Sequence, residues 1–106
     1  MTPAYRYRAR VVRVLDGDTY ELDIDLGFHV SVRLPVRLYG WNCQELLTTA
    51  GVSARIRASE LLASGPIVIE TYKDRQSFAR WLATVYVDGV DIGQALAKSG
   101  HATKAL

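Results

Sequence analysis

Thr19 to Leu38 reads T-Y-E-L-D-I-D-L-G-F-H-V-S-V-R-L-P-V-R-L. Tyr20, Leu22 and Ile24 alternate with Glu21, Asp23 and Asp25; after Leu26-Gly27, Phe28, Val30, Val32, Leu34, Val36 and Leu38 alternate again. A period of two belongs to a strand with one apolar and one wet face. The stretch therefore predicts two antiparallel strands joined at Leu26-Gly27. Pro35 has no N–H to give a ladder, so an edge position, a bulge or a sharp bend is expected there.

Towards the N-terminus the same pattern continues. Tyr5, Tyr7, Ala9 and Val11 alternate with Arg6, Arg8, Arg10 and Val12, and Asp16-Gly17 is a turn signal before Thr19. With Asp16-Gly17 as a two-residue loop, Arg10 falls opposite Asp23 and Arg8 opposite Asp25. Such opposed charges contribute about 0.2–1 kcal/mol per pair. The arginine row thus has two readings, a solvated charge ladder or a phosphate-binding row of Arg6, Arg8 and Arg10.

Towards the C-terminus the period changes. Val52, Ile56, Ser59, Leu62 and Ala63 share a helical stripe within Thr48–Ser64, and Gly65-Pro66 ends the helix. Ile67–Tyr72 reads as a fourth strand and Arg80–Val87 as a fifth, with a polar loop K-D-R-Q-S-F-A between them. Asp91 with Gln94 forms a capping-box pattern that opens a second helix through Lys98, closed by Gly100. The order β-β-β-α-β-β-α predicts a mainly β fold with flanking helices: a five-stranded Greek-key barrel of the OB type. At 106 residues the chain is read as a single domain, 1–106.

The totals exclude more than they assign. No apolar run approaches the ~18 residues of a membrane span, and no apolar stretch follows the charges of M-T-P-A-Y-R-Y-R-A-R. A cytoplasmic setting is the expectation. Cys43 is the sole cysteine, which excludes an intramolecular disulfide and a cysteine-rich zinc site. The net charge of +2 does not argue for nucleic acid by itself. Its distribution says more, because Arg6, Arg8, Arg10, Arg13, Arg33 and Arg37 all precede Tyr39.

Three clusters have the residue types for phosphate chemistry: D-G-D-T at Asp16–Thr19, R-L-Y-G-W-N-C-Q-E at Arg37–Glu45, and Arg80 at the start of the fifth strand. Taken singly, the first is an ordinary hairpin turn and the last a surface arginine. Together they are the parts for phosphodiester hydrolysis. Two guanidinium forks suit a dianionic pentacovalent phosphate, and a carboxylate can orient or deprotonate water. Oxygen ligands suit a hard divalent cation.

V-V-R-V-L-D-G-D-T, V-R-L-Y-G-W-N-C-Q-E, A-R-W-L-A-T-V-Y-V-D-G and A-L-A-K-S-G-H-A occur in that order. This ordered set resembles the staphylococcal nuclease-like (thermonuclease) domains over nearly the whole chain. The resemblance implies an OB-fold barrel and a Ca²⁺-dependent nuclease acting on DNA or RNA. It further implies Asp18 as a metal ligand with Asp16 behind it, and Arg37 and Arg80 on phosphate. Glu45 would act on water, and Cys43 would offer only its backbone carbonyl to the metal. Active members usually carry aspartate where this chain has Asn42, so the resemblance implies a weakened Ca²⁺ site that Asn42 ligates through its amide carbonyl. It also suggests a monomer of bacterial or bacteriophage origin. The alternative is an OB-type module that binds single-stranded nucleic acid or a protein partner without cutting it. Tyr39, Trp41 and Phe78 are then candidate stacking residues, and a barrel-capping role suits Trp41 best.

Overall fold

A computed structural model describes residues 5–77 and 80–105, with the side chains of 72–80 outside that description. Strands β1 (Tyr5–Asp16), β2 (Thr19–Gly27) and β3 (Val30–Leu38) form an antiparallel meander. Strand β4 (Trp41–Cys43) and helix α1 (Thr49–Leu62) lead to β5 (Ile67–Ser77) and β6 (Arg80–Val87). Strand β7 (Val90–Asp91), helix α2 (Ile92–Lys98) and β8 (Ala102–Lys104) complete the chain. The strand order is β3-β2-β1-β5-β6, and β3 closes on β6 in parallel through Val36–Leu38. The fold is the expected five-stranded OB-like barrel with two helices. No helix among the described residues is long and apolar enough to cross a membrane.

The alternating residues form the core. Tyr20, Leu22, Val36, Leu38, Ile69, Val85 and Leu96 are all buried, and each large aliphatic side chain among them stabilises by roughly 1.5–3 kcal/mol. Pro35 sits opposite Glu21, just before the three residues of β3 that pair with β6. Its missing N–H thus falls at the end of an unpaired edge.

The structure corrects four details. The first turn is Gly17-Asp18, not Asp16-Gly17, because Asp16 pairs with Thr19. Two register shifts, between Val11 and Arg13 and between Val14 and Asp16, restore the anticipated pairs Arg10–Asp23 and Arg8–Asp25. The second turn is Phe28-His29, since Gly27 pairs with Val30. The polar K-D-R-Q-S segment continues β5 to Ser77 instead of leaving the sheet.

The fourth correction concerns α1. It buries Gly51, Ala54, Ala58 and Leu62, while Val52 and Ile56 are exposed. The helix lies so close to the turn and loop beneath it that only small side chains fit on the inner face. Arg55 Nε donates to the Val14 carbonyl at 3.0 Å, beside the second register shift. Thr48 caps the helix through Gly51 N, and Asp91 caps α2 through Gly93 N and Gln94 N.

Candidate active site

The site begins with the turn that the sequence marks as D-G-D-T. Asp16 Oδ1 accepts the Asp18 N–H at 3.0 Å, and the buried Tyr20 hydroxyl donates to the Gly17 carbonyl at 2.7 Å. A Cβ on Gly17 would lie 2.8 Å from both Cβ and Sγ of Cys43 and 2.9 Å from Ala54 Cβ. Only glycine lets this turn approach β4 and α1 so closely.

That approach buries Asp18, whose side chain is 10% exposed. Its Oδ2 accepts the Cys43 N–H at 2.9 Å and Arg37 Nη2 at 3.4 Å, and its Oδ1 accepts the Thr19 hydroxyl at 3.2 Å. A buried carboxylate needs such donors to stay ionised without a large desolvation cost.

Arg37 stands where three strands meet, opposite Thr19 on β2 and Leu82 on β6. Nη1 donates to the Leu38 and Trp41 carbonyls, both at 3.3 Å, and Nη2 reaches Asn42 Oδ1 as well as Asp18. The guanidinium is therefore held by four acceptors in one place. Beside it opens a cavity of about 520 Å³ lined by Arg37, Asn42, Tyr39 and Leu82 among others. Arg80 opens β6 opposite Ser77 and two positions before Leu82, the strand partner of Arg37. Its side chain lies outside the described residues, as does Phe78 entirely.

Glu45 is held by its backbone. Its carbonyl accepts the Thr48 N–H at 3.1 Å and the Thr48 hydroxyl at 2.7 Å. A Cβ on Gly51 would fall 1.7 Å from the Glu45 carbonyl oxygen, so the first turn of α1 sits directly on this loop. The Glu45 side chain is exposed, and its carboxylate has no hydrogen-bond or ion-pair partner among the described residues. The positive end of α1 lies close by in sequence and favours an anion.

The site also shifts proton affinities. Burial, then the hydrogen bond and charge of Asp18, raise the Asp16 carboxyl above its ordinary value. Burial, then the charges of Asp18 and Asp16, push the Cys43 thiol up to about 12 against the opposing effect of Arg37. The thiol is thus neutral, and the part of Cys43 that meets Asp18 is its N–H. Among the described residues, no group of three or more His, Cys, Asp or Glu side chains could hold a metal.

The structure thus gathers Asp16, Asp18, Arg37, Asn42 and Cys43, with Glu45 on the adjoining loop. Tyr39 and Trp41 are half-buried. A Cβ on Gly93 would lie 2.1 Å from Trp41 Cδ1, which makes Trp41 a packing residue against α2. Sequence reasoning missed Gly17, Gly51 and Gly93 as the positions that permit these contacts. The usable signal was a glycine within each of two helices, where glycine is otherwise unfavourable.

No family model matches the chain. It is similar to a protein of Escherichia coli O157:H7 described as an uncharacterized endonuclease, with 35% identity over 94 residues. The match covers 88% of this chain and 58% of that protein, so the chain spans little more than half the relative's length.

Proposed function

We propose that this chain is a nuclease domain that hydrolyses phosphodiester bonds of DNA or RNA, with single-stranded nucleic acid as substrate. The observation that carries this reading is the Arg37 guanidinium, fixed by Asp18, Asn42 and two carbonyls beside an open cavity. The similarity to the E. coli protein described as an endonuclease supports the same class.

In this reading Arg37 and Arg80 bind the non-bridging phosphate oxygens and stabilise the charge that builds on them. Arg37 reaches the phosphate by exchanging one present acceptor for it. Glu45 takes a proton from the attacking water as one P–O bond forms and the bond to the leaving oxygen breaks, the leaving oxygen taking a proton from solvent water. Its lack of a partner among the described residues suits a carboxylate kept available for that proton. Asn42 and Asp18 orient Arg37, and Asp16 holds the turn that carries Asp18.

A Ca²⁺ ion would have to draw on Asp18, Asp16, the Asn42 amide carbonyl and the Cys43 backbone carbonyl, and Arg37 would have to give up Asp18 and Asn42 to it. When bound, Ca²⁺ would supply Lewis-acid polarisation of the phosphate. So few carboxylates leave part of the shell to water and substrate, which predicts weak affinity.

A second reading keeps one observation on its side. Asp18 is already satisfied by Arg37, Cys43 N–H and Thr19, as in a module that binds single strands without cutting them. A Ca²⁺ titration of single-stranded DNA and RNA cleavage separates the two. The nuclease reading expects activity only at about millimolar Ca²⁺, and at lower Ca²⁺ in Asn42→Asp. Binding without cleavage at every concentration would leave the module.

A further inference from the structure

The far end of the β2–β3 hairpin has no part in the site above. Phe28 and His29 form its two-residue turn with φ of 56° and 61°, after Gly27 at 82°. Such a turn strongly prefers Asn, Asp or Gly, and the left-handed region is costly for a residue with a Cβ. The β6–β7 turn uses the preferred residues, Asp88 and Gly89, at 50° and 82°. At the β2–β3 tip a phenylalanine takes that conformation and is 97% exposed, with Val30 at 52% beside it. No burial offsets the unfavourable backbone.

The surroundings indicate what the ring could meet. Arg10 is paired with Asp23 at 2.8 Å, and Asp25 Oδ1 accepts the Gly27 N–H at 2.8 Å. Arg8 and Arg33 have no ion pair among the described residues, and both are exposed. Arg8, Arg10 and His29, with the already bonded Asp23 and Asp25, line an open cavity of about 800 Å³ under the tip. Arg33 lies on β3 in the same alternation as Arg37, opposite the buried Val36 and Leu38. The outer row of β3 therefore runs from Arg37 through Arg33 towards the tip. From the Thr19–Arg37 pair to the Gly27–Val30 pair this is about 25 Å of strand.

We propose that the Phe28 tip is a second contact for single-stranded nucleic acid. Phe28 stacks on a base, and Arg33 and Arg8 take phosphates of the same strand as it leaves Arg37. Base–aromatic stacking is indifferent to sequence, because every base has a π-face. A strand spanning both contacts needs about seven nucleotides at stacked spacing. The proposal rests on the reading that this chain meets nucleic acid, but not on its cutting it.

The test is fluorescence anisotropy with labelled oligo-dT of about 4 and about 12 nucleotides, lengths within the range of one OB barrel. The full chain carries Glu45→Gln and is kept in chelator to prevent cleavage. We expect the longer strand to bind more tightly than the shorter. Phe28→Asn should weaken the longer strand roughly tenfold and leave the shorter unchanged. Its denaturant midpoint should rise, because asparagine tolerates the left-handed turn. Arg33→Gln should reduce the salt slope by about one. Unchanged binding of the longer strand by Phe28→Asn overturns the proposal while leaving the nuclease reading intact. A lowered midpoint overturns it in favour of a packing role. Loss of concentration-dependent self-association in Phe28→Asn, with strand binding intact, overturns it in favour of a contact between copies. Failure of the Phe28-intact protein to bind either strand removes both readings.

Discussion

Strand β2 is bracketed by two turns of opposite character. At one end, Gly17-Asp18 is buried, and the turn residues meet hydrogen-bond partners from Asp16, Thr19, Tyr20, Arg37 and Cys43. At the other, Phe28-His29 is exposed and takes a conformation that a bulky residue such as Phe28 disfavours. The first turn shows how ordinary hairpin residues become a site when helix and strand close over them. The second shows a local cost that nothing in the fold offsets. Strain without packing points to a contact made outside the chain.

Substitutions at the two ends should therefore act in opposite directions. The largest effect is expected from Arg37→Ala, which leaves the Asp18 carboxylate buried without its cation. Stability should fall by about 2–3 kcal/mol in denaturant titration, and cleavage should fall by roughly 10²–10³-fold. Gly51→Ala comes next, because its Cβ must displace the Glu45 backbone. A loss of about 1–3 kcal/mol is predicted, with cleavage reduced beyond the unfolded fraction measured by circular dichroism. Phe28→Asn, at the opposite end, should instead gain about 1 kcal/mol. A loss there would erase the contrast between the two turns.

The smallest effect concerns Asp16. Its carboxyl is raised above the ordinary value of 3.8 in the fold, chiefly by burial. A raised carboxyl contributes stability below its unfolded pKa and loses that contribution as pH rises through the folded value. Asp16→Asn should therefore be more stable than wild type at neutral pH, with the gain shrinking as pH falls through the raised folded value and gone below the ordinary value of 3.8. The asparagine retains an acceptor for the Asp18 N–H. A constant difference at all pH values would show that charge is not the cause.

Much of the barrel was legible because alternation matches burial along the middle of β1–β3 and in β6 from Ala83, although Tyr5, Phe28, Val30 and Trp81 on the same predicted faces are exposed. The register that sets Arg8 opposite Asp25 and Arg10 opposite Asp23 was also legible, although for a partly accidental reason, and only the second closes as an ion pair. Two register shifts compensate a turn displaced by one residue, and bulges leave no hydrophobic signature. Helix α1 was misread because hydrophobicity assigns Val52 and Ile56 to the core, whereas close approach selected Gly51, Ala54 and Ala58. The short pairing of β4 with β8 gave no signal, since three residues show no period. Within the site, Asp18 and Arg37 were singled out by resemblance and by residue chemistry. The junction that joins them depends on Gly17, whose role appears only once Cys43 and Ala54 are seen beside it.

The central claim is that Glu45 works on water beside a phosphate held by Arg37. The most direct measurement is single-turnover cleavage of a labelled single-stranded oligonucleotide by wild type and Glu45→Gln, with and without Ca²⁺. The account predicts cleavage by wild type only with Ca²⁺, and a rate at least about 10²-fold lower in Glu45→Gln with strand binding retained. Equal rates for the two proteins would contradict it.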